Sequence, residues 1–159
     1  MSVTGLVALI GLGAGFLRWA YPGPSALELP ASADGRVHLH CQVLRESGDP
    51  RTSARWGDPV PGRLEVGPAR LVFTPADGGA GWQAAIEDVV LTRLNPEGGI
   101  ATPSLDVRIV GVGARRLRVS DRPIRRFTID HTTTRHEALA SRELHDLLIR
   151  RGARPIEPG

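Results

Sequence analysis

Six arginines crowd into one short run, Arg115, Arg116, Arg118, Arg122, Arg125 and Arg126, with Asp121 alone opposing them. On alternating strands Arg116 and Arg118 project away from Leu117 and Val119, and Arg126 projects away from Phe127. Neighbouring strands would then share a basic outer face. Beside an anionic leaflet each such residue contributes about 1 kcal/mol within a Debye length. The plainer alternative is a solvated sheet face, partly paired with Asp and Glu on adjacent strands. Arg116, Arg118, Arg122, Arg125 and Arg126 are therefore the candidate binding residues, for an anionic leaflet surface or a protein partner. Nucleic acid is not expected, because no aromatic residue is interleaved to stack bases.

His38 and His40 lie two apart on one strand face, a spacing that could share a metal ion. A site needs a third or fourth ligand, and the sequence offers no obvious one. Cys41 points to the opposite face and reads as a core thiol. No two of His131, His136 and His145 are four apart, so the helical metal-binding pattern is missing. Glu87 and Asp88 are adjacent carboxylates that would face opposite ways on a strand and could not act on one bond. Ser104, Ser120 and Ser141 lack a nucleophile-elbow setting, and no phosphate-cradling loop is present. The expectation is a non-enzymatic protein with no catalytic residue, metal or cofactor. The alternative is a small metal-dependent or hydrolytic enzyme using His38 and His40.

The elements that would position these groups are mostly strands. Val37, Leu39, Cys41 and Val43 alternate with polar residues over Arg36 to Leu44, the mark of a half-buried strand. Arg45 to Pro61 is a polar loop with Trp56 its only large apolar residue. Strands follow at Leu64–Val66, Leu71–Phe73, Trp82–Leu94 (one bent strand or two), Leu105–Ile109, Leu117–Val119 and Phe127–Ile129. Then the period changes. Thr134-Arg135-His136-Glu137 fits a capping box, and Ala140, Leu144, Leu147 and Leu148 fall on one helical face. Gly152 is placed to end that helix in the left-handed conformation, and Pro155 blocks its continuation. The fold class is mainly β: an antiparallel barrel or sandwich of about seven strands closed by one C-terminal α-helix.

The run Gly62-Arg63-Leu64-Glu65-Val66, turning into Arg70-Leu71-Val72-Phe73-Thr74-Pro75 before Trp82 and Ile86-Glu87-Asp88-Val89, resembles the opening of bacterial PH-like (GRAM-like) domains. The resemblance covers roughly residues 36–152. It implies a PH-like fold and a binding or scaffolding role rather than catalysis. It also implies an actinobacterial type of layout, with one N-terminal membrane helix before the domain. Phosphoinositide-binding PH domains cluster basic residues around the first hairpin loop. Taken as Val66 to Ala69, that loop here has only Arg63 and Arg70 at its flanks.

Met1 to Leu17 carries no charged side chain, and Arg18, Trp19 and Tyr21 follow at once. As a helix, Val3 to Tyr21 would rise about 28 Å, close to the hydrocarbon thickness of a bilayer. Arg18 can snorkel, and Trp19 and Tyr21 suit the interfacial belt. A single-pass transmembrane anchor over residues 1–21 is expected, then a Pro-rich linker over 22–35, the β domain over 36–152 and a tail over 153–159. A cleaved signal, releasing a secreted β domain, is the weaker alternative: the basic start is missing and Ala31-Ser32-Ala33 lies too far downstream. Gly11-Leu12-Gly13-Ala14-Gly15 departs from a dinucleotide fingerprint, which needs its third glycine where Phe16 stands. Gly11 and Gly15 form a small-residue pair that could let two anchors pack as a homodimer, although the plainer alternative is that small residues are simply frequent in such helices. Arg18 and Arg36 flank only the C-terminal side, which places the main domain in the cytoplasm at the inner (plasma) membrane.

Composition adds bounds. The 159-residue chain has 20 basic residues, all arginine, and a net charge of only +3. Arginine and acid are interspersed, so the charge does not argue for nucleic acid. One cysteine excludes an internal disulfide.

Overall fold

The computed structural model describes residues 27–48, 55–95, 102–124 and 131–155. Seven strands come first: β1 (Val37–Arg45), β2 (Val60–Val66), β3 (Arg70–Pro75), β4 (Trp82–Ala85), β5 (Val89–Asn95), β6 (Ser104–Ile109) and β7 (Gly113–Ser120). Helix α1 (His131–Arg150) and a two-residue strand β8 (Arg154–Pro155) complete the described elements. The strands form one curled eight-stranded sheet in the order β4-β3-β2-β1-β7-β6-β5-β8. Two antiparallel meanders, β1–β4 and β5–β7, meet through the β1–β7 pair, and only β8 runs parallel to its neighbour.

Alternation builds the core. Val37, Leu39, Cys41 and Val43 of β1 are buried, and they face buried Leu64 and Val66 of β2 and Leu117 and Val119 of β7. Leu71, Phe73, Leu105, Val107 and Ile109 extend the same apolar layer. Between β4 and β5 the chain makes a single 3-10 turn, Ile86–Asp88, so the segment read as one strand or two is two. Ile86 is buried in that turn and its N–H donates to Ala69 O at 2.9 Å, locking the reversal onto the β2–β3 turn. Gly62 is required where β2 and β3 cross closely, since a Cβ there would meet Thr74 O at 2.3 Å.

Pairing of β1 with β2 makes residues 46–59 the first hairpin connection. The Val66–Ala69 turn, expected to be the first hairpin loop, is the second, joining β2 to β3. Arg45 at the end of β1 borders the first connection, and Arg51 and Arg55 fall within it, whereas Arg63 and Arg70 do not.

Helix α1 buries Ala140, Leu144 and Leu148 in the core and lies over β7, β6 and β5. Each fully buried leucine contributes about 1.5–3 kcal/mol relative to exposure. The helix begins at His131, three residues before the expected capping box. Glu137 is consequently well inside the helix, and its carboxylate turns to Arg118 of β7 instead. The C-terminus follows expectation. Gly152 has φ +103°, its N–H donates to Ile149 O at 3.1 Å, and the Ala153 N–H donates to Leu148 O at 2.9 Å. These two bonds form a Schellman motif, with buried Ala153 as its apolar contact.

Arg151, just past the helix, donates to Val66 O and Gly67 O at 2.7 Å and to Gly35 O at 2.6 Å. Leu27 and Leu29 pack against the core, and Ala31 bridges to Val37. The stretch read as a linker is therefore docked on the domain from Leu27 onward. The membrane segment 3–21, Arg125, Arg126, and the strand expected at Phe127 and Ile129 lie outside the described residues. Among the described residues no helix is long and apolar enough to cross a membrane.

Candidate functional site: the arginines of β7 and their neighbours

Strand β7 carries arginines on both of its faces. On the outer face Arg116 lies directly opposite Asp106 of β6. Its Nε and Nη2 donate to the two carboxylate oxygens at 2.7 and 2.8 Å, a bidentate pair. The Asp106 side chain is 6% exposed and that of Arg116 27%. The hydrogen bond to Asp106 holds the Arg116 guanidinium above its ordinary pKa, against the opposing effect of burial. Arg116 also stacks over Trp56 at 4.8 Å, and Arg55 approaches the same ring at 5.4 Å. The lone aromatic of the 46–59 connection thus has two guanidinium groups near its ring.

Arg118, opposite Gln42 of β1, donates to Gln42 Oε1 at 2.9 Å and to Glu137 Oε2 at 3.0 Å. Glu137 is buried, so this pair fastens α1 to the sheet. Arg122 is 65% exposed and only 3.9 Å from Asp121. Of the five candidate binding residues, the structure brings Arg116 and Arg118 onto one face and engages both with buried carboxylates. Arg122 is free to meet solvent, and Arg125 and Arg126 fall outside the described residues.

The other face of β7 holds a pair that sequence reasoning missed. Arg115 lies directly opposite Arg45 of β1. By strand alternation both share the face of Val43 and Leu117, the last inward apolar pair at that end of the sheet. Among the described residues no carboxylate comes within ion-pair distance of either guanidinium. Arg115 Nη1 donates to Ala114 O at 2.7 Å, while its Nε is buried without a partner among the described residues. Burial, and then the Arg45 charge, hold Arg115 below its ordinary pKa. The arginine run hinted at Arg115, but its partner lies seventy positions earlier, and no local pattern links the two.

His38 Nδ1 is 3.9 Å from Glu65 Oε2, and the other Glu65 oxygen accepts Arg36 at 2.7 Å. A cation beside His38 would share that carboxylate with a guanidinium, which opposes binding. His40 faces Arg63 across the sheet. Among the described residues no three His, Cys, Asp or Glu side chains are grouped to hold a metal.

A second unforeseen contact joins His136 of α1, which is buried, to Asp121 at 3.1 Å. The Ser120 hydroxyl sits 3.5 Å from the same carboxylate and accepts the Arg122 N–H at 3.2 Å. The serine thus engages the aspartate rather than the imidazole, and the group secures the first turns of α1 to the end of β7. Cys41 is wholly buried, and burial pushes its thiol pKa far up, which makes it unreactive.

Compared with known proteins, the chain matches no family model and no curated protein.

Proposed function

We propose that this chain is a membrane-tethered PH-like binding or scaffolding module without catalytic activity of its own. The observation that carries the reading is the sheet order. Two antiparallel meanders joined through β1 and β7, with one C-terminal helix packed on β5–β7, support the PH-like reading. Such a body offers strand faces and loops for contact. Side-chain chemistry supports the same direction. The thiol is buried, the buried imidazole is tied to Asp121, and Arg116 and Arg118 are spent on Asp106 and Glu137. Contact with an anionic leaflet or a protein partner falls to the remaining basic groups, Arg122 and the candidates Arg125 and Arg126.

The uncharged run before Arg18, with Trp19 and Tyr21 at its end, supports a single membrane pass. Arginine placement supports a cytoplasmic domain at the inner membrane. Tethering would act by raising the local concentration of the domain near its partner. Fractionation tests this directly. The full-length protein should sediment with membranes in low-salt buffer and be released only by detergent. Protein remaining in the supernatant would overturn the tether. Co-purification should then compare full-length protein with a version starting at Ser25, which keeps Leu27 and Leu29 on the core. A partner retained by the shortened protein belongs to the domain, and one lost belongs to the membrane segment.

A further inference from the structure

We propose that the outer face of β5, β6 and β8 is the surface this domain lays against an anionic leaflet, through Arg93, Arg108 and Arg154, with Val110 entering the interface. This rests on the membrane tether proposed above and adds a face that the 115–126 arginine run does not reach. Charge is divided unevenly over the sheet. Strands β5 to β8 carry six arginines (Arg93, Arg108, Arg115, Arg116, Arg118 and Arg154) against one acidic residue, Asp106. Arg116 of β7 takes both Asp106 oxygens. Arg93 of β5 lies opposite the same aspartate from its other side and is left without a counter-charge.

In the next row of that face, Arg154 of β8, Val90 of β5 and Arg108 of β6 are direct neighbours across three strands. Paired positions project to one side of a sheet, here the side opposite buried Leu91, Val107 and Ile109. Arg93, Arg108 and Arg154 are all exposed. Among the described residues none of them has an ion pair or a side-chain hydrogen bond. Glu87 and Asp88 belong to the 3-10 turn ahead of β5, off the strand rows. Val110 follows two residues after Arg108, is 63% exposed, and is held by its N–H on Asp88 O at 3.2 Å. An acidic protein surface would satisfy the arginines alone. A leaflet takes the apolar tip as well, with arginine stems along apolar surface and their heads at the phosphates. Held close by the tether, the domain needs only modest attraction to settle in one orientation.

The test uses the full chain in lipid nanodiscs of phosphatidylcholine alone, or of equal parts phosphatidylcholine and phosphatidylglycerol. Cys41 is buried, so in Val110→Cys only the substituted position takes a fluorescent label while the protein is folded. Quenching by lipids spin-labelled near the headgroup reads contact. Quenching should appear in the anionic discs, be absent in the neutral ones, and fall as salt is raised. Each of Arg93→Gln, Arg108→Gln and Arg154→Gln should lower the docked-to-undocked ratio about fivefold, and the triple variant about a hundredfold. Arg63→Gln, at an exposed position of β2, should match the parent. Should the triple variant fail to fold, the single variants carry the comparison. Co-elution with the discs reports the tether separately. Protein that stays outside the discs overturns the tether and this inference together. Protein that enters them but is quenched equally in both lipids, or docks as well without the three arginines, overturns the docking face alone. Loss of a co-purifying acidic protein in the triple variant, with quenching unchanged, assigns the face to that partner and overturns the leaflet contact.

Discussion

Asp106 and Arg116 face each other across β6 and β7 and are joined by two hydrogen bonds of 2.7 and 2.8 Å. With the aspartate buried, this pair costs more to break than a surface salt bridge. Asp106→Asn keeps the shape but leaves Arg116 without its counter-charge. Stability should fall by about 1–3 kcal/mol, seen as a lower urea midpoint with an unchanged slope. The raised pKa of Arg116 sets the pH behaviour. Its contribution is fully present below the unfolded arginine pKa and is lost only as pH rises through the folded one. It should therefore be constant across the neutral range.

Cys41 gives a steeper pH dependence. Its folded pKa lies above its unfolded value because burial disfavours the thiolate. The folded state therefore keeps a proton that the unfolded chain releases above roughly pH 8.5, and stability falls by about 1.4 kcal/mol per pH unit beyond that point. Cys41→Ala should flatten this alkaline slope, at the expense of some packing. As the single cysteine in the chain, it also reports opening, since a thiol reagent should label it at the unfolding rate.

Arg151 satisfies three backbone carbonyls from two separate turns. Lysine keeps the charge but not the planar fork. Arg151→Lys should lose about 1–2 kcal/mol, with faster amide exchange at residues 32–36 and 66–69. Unchanged exchange there would show that the turns hold without it.

Two glycines separate conformation from space. Gly152→Ala forces a side chain into a left-handed position and should cost about 1–2 kcal/mol. Gly62→Ala instead drives a Cβ against the Thr74 carbonyl oxygen and should cost about 1–3 kcal/mol or more. Chemical denaturation of both variants should rank Gly62→Ala the more damaging.

Local periodicity made much of the fold legible. The inward set Val37, Leu39, Cys41 and Val43 follows from alternation alone, as does the helix end from Gly152. Contacts that depend on register were not legible. Arg116 finds Asp106, and Arg115 finds Arg45, only once three strands are aligned. Glu137 matched a local capping rule, yet a longer-range pairing with Arg118 took its carboxylate. Strand β8 is too short to show a period and exists because the chain after the Schellman turn is delivered to the β5 edge. Trp56 had no apolar neighbours in sequence to predict its place, and its partners are cations.

Docking of Leu27 and Leu29 on the core leaves only residues 22–26 between the domain and the hydrophobic run. Five extended residues reach at most about 18 Å. On the proposed membrane reading this is a short leash. The domain could swivel above the bilayer but not roam, and any partner would have to work at that fixed standoff.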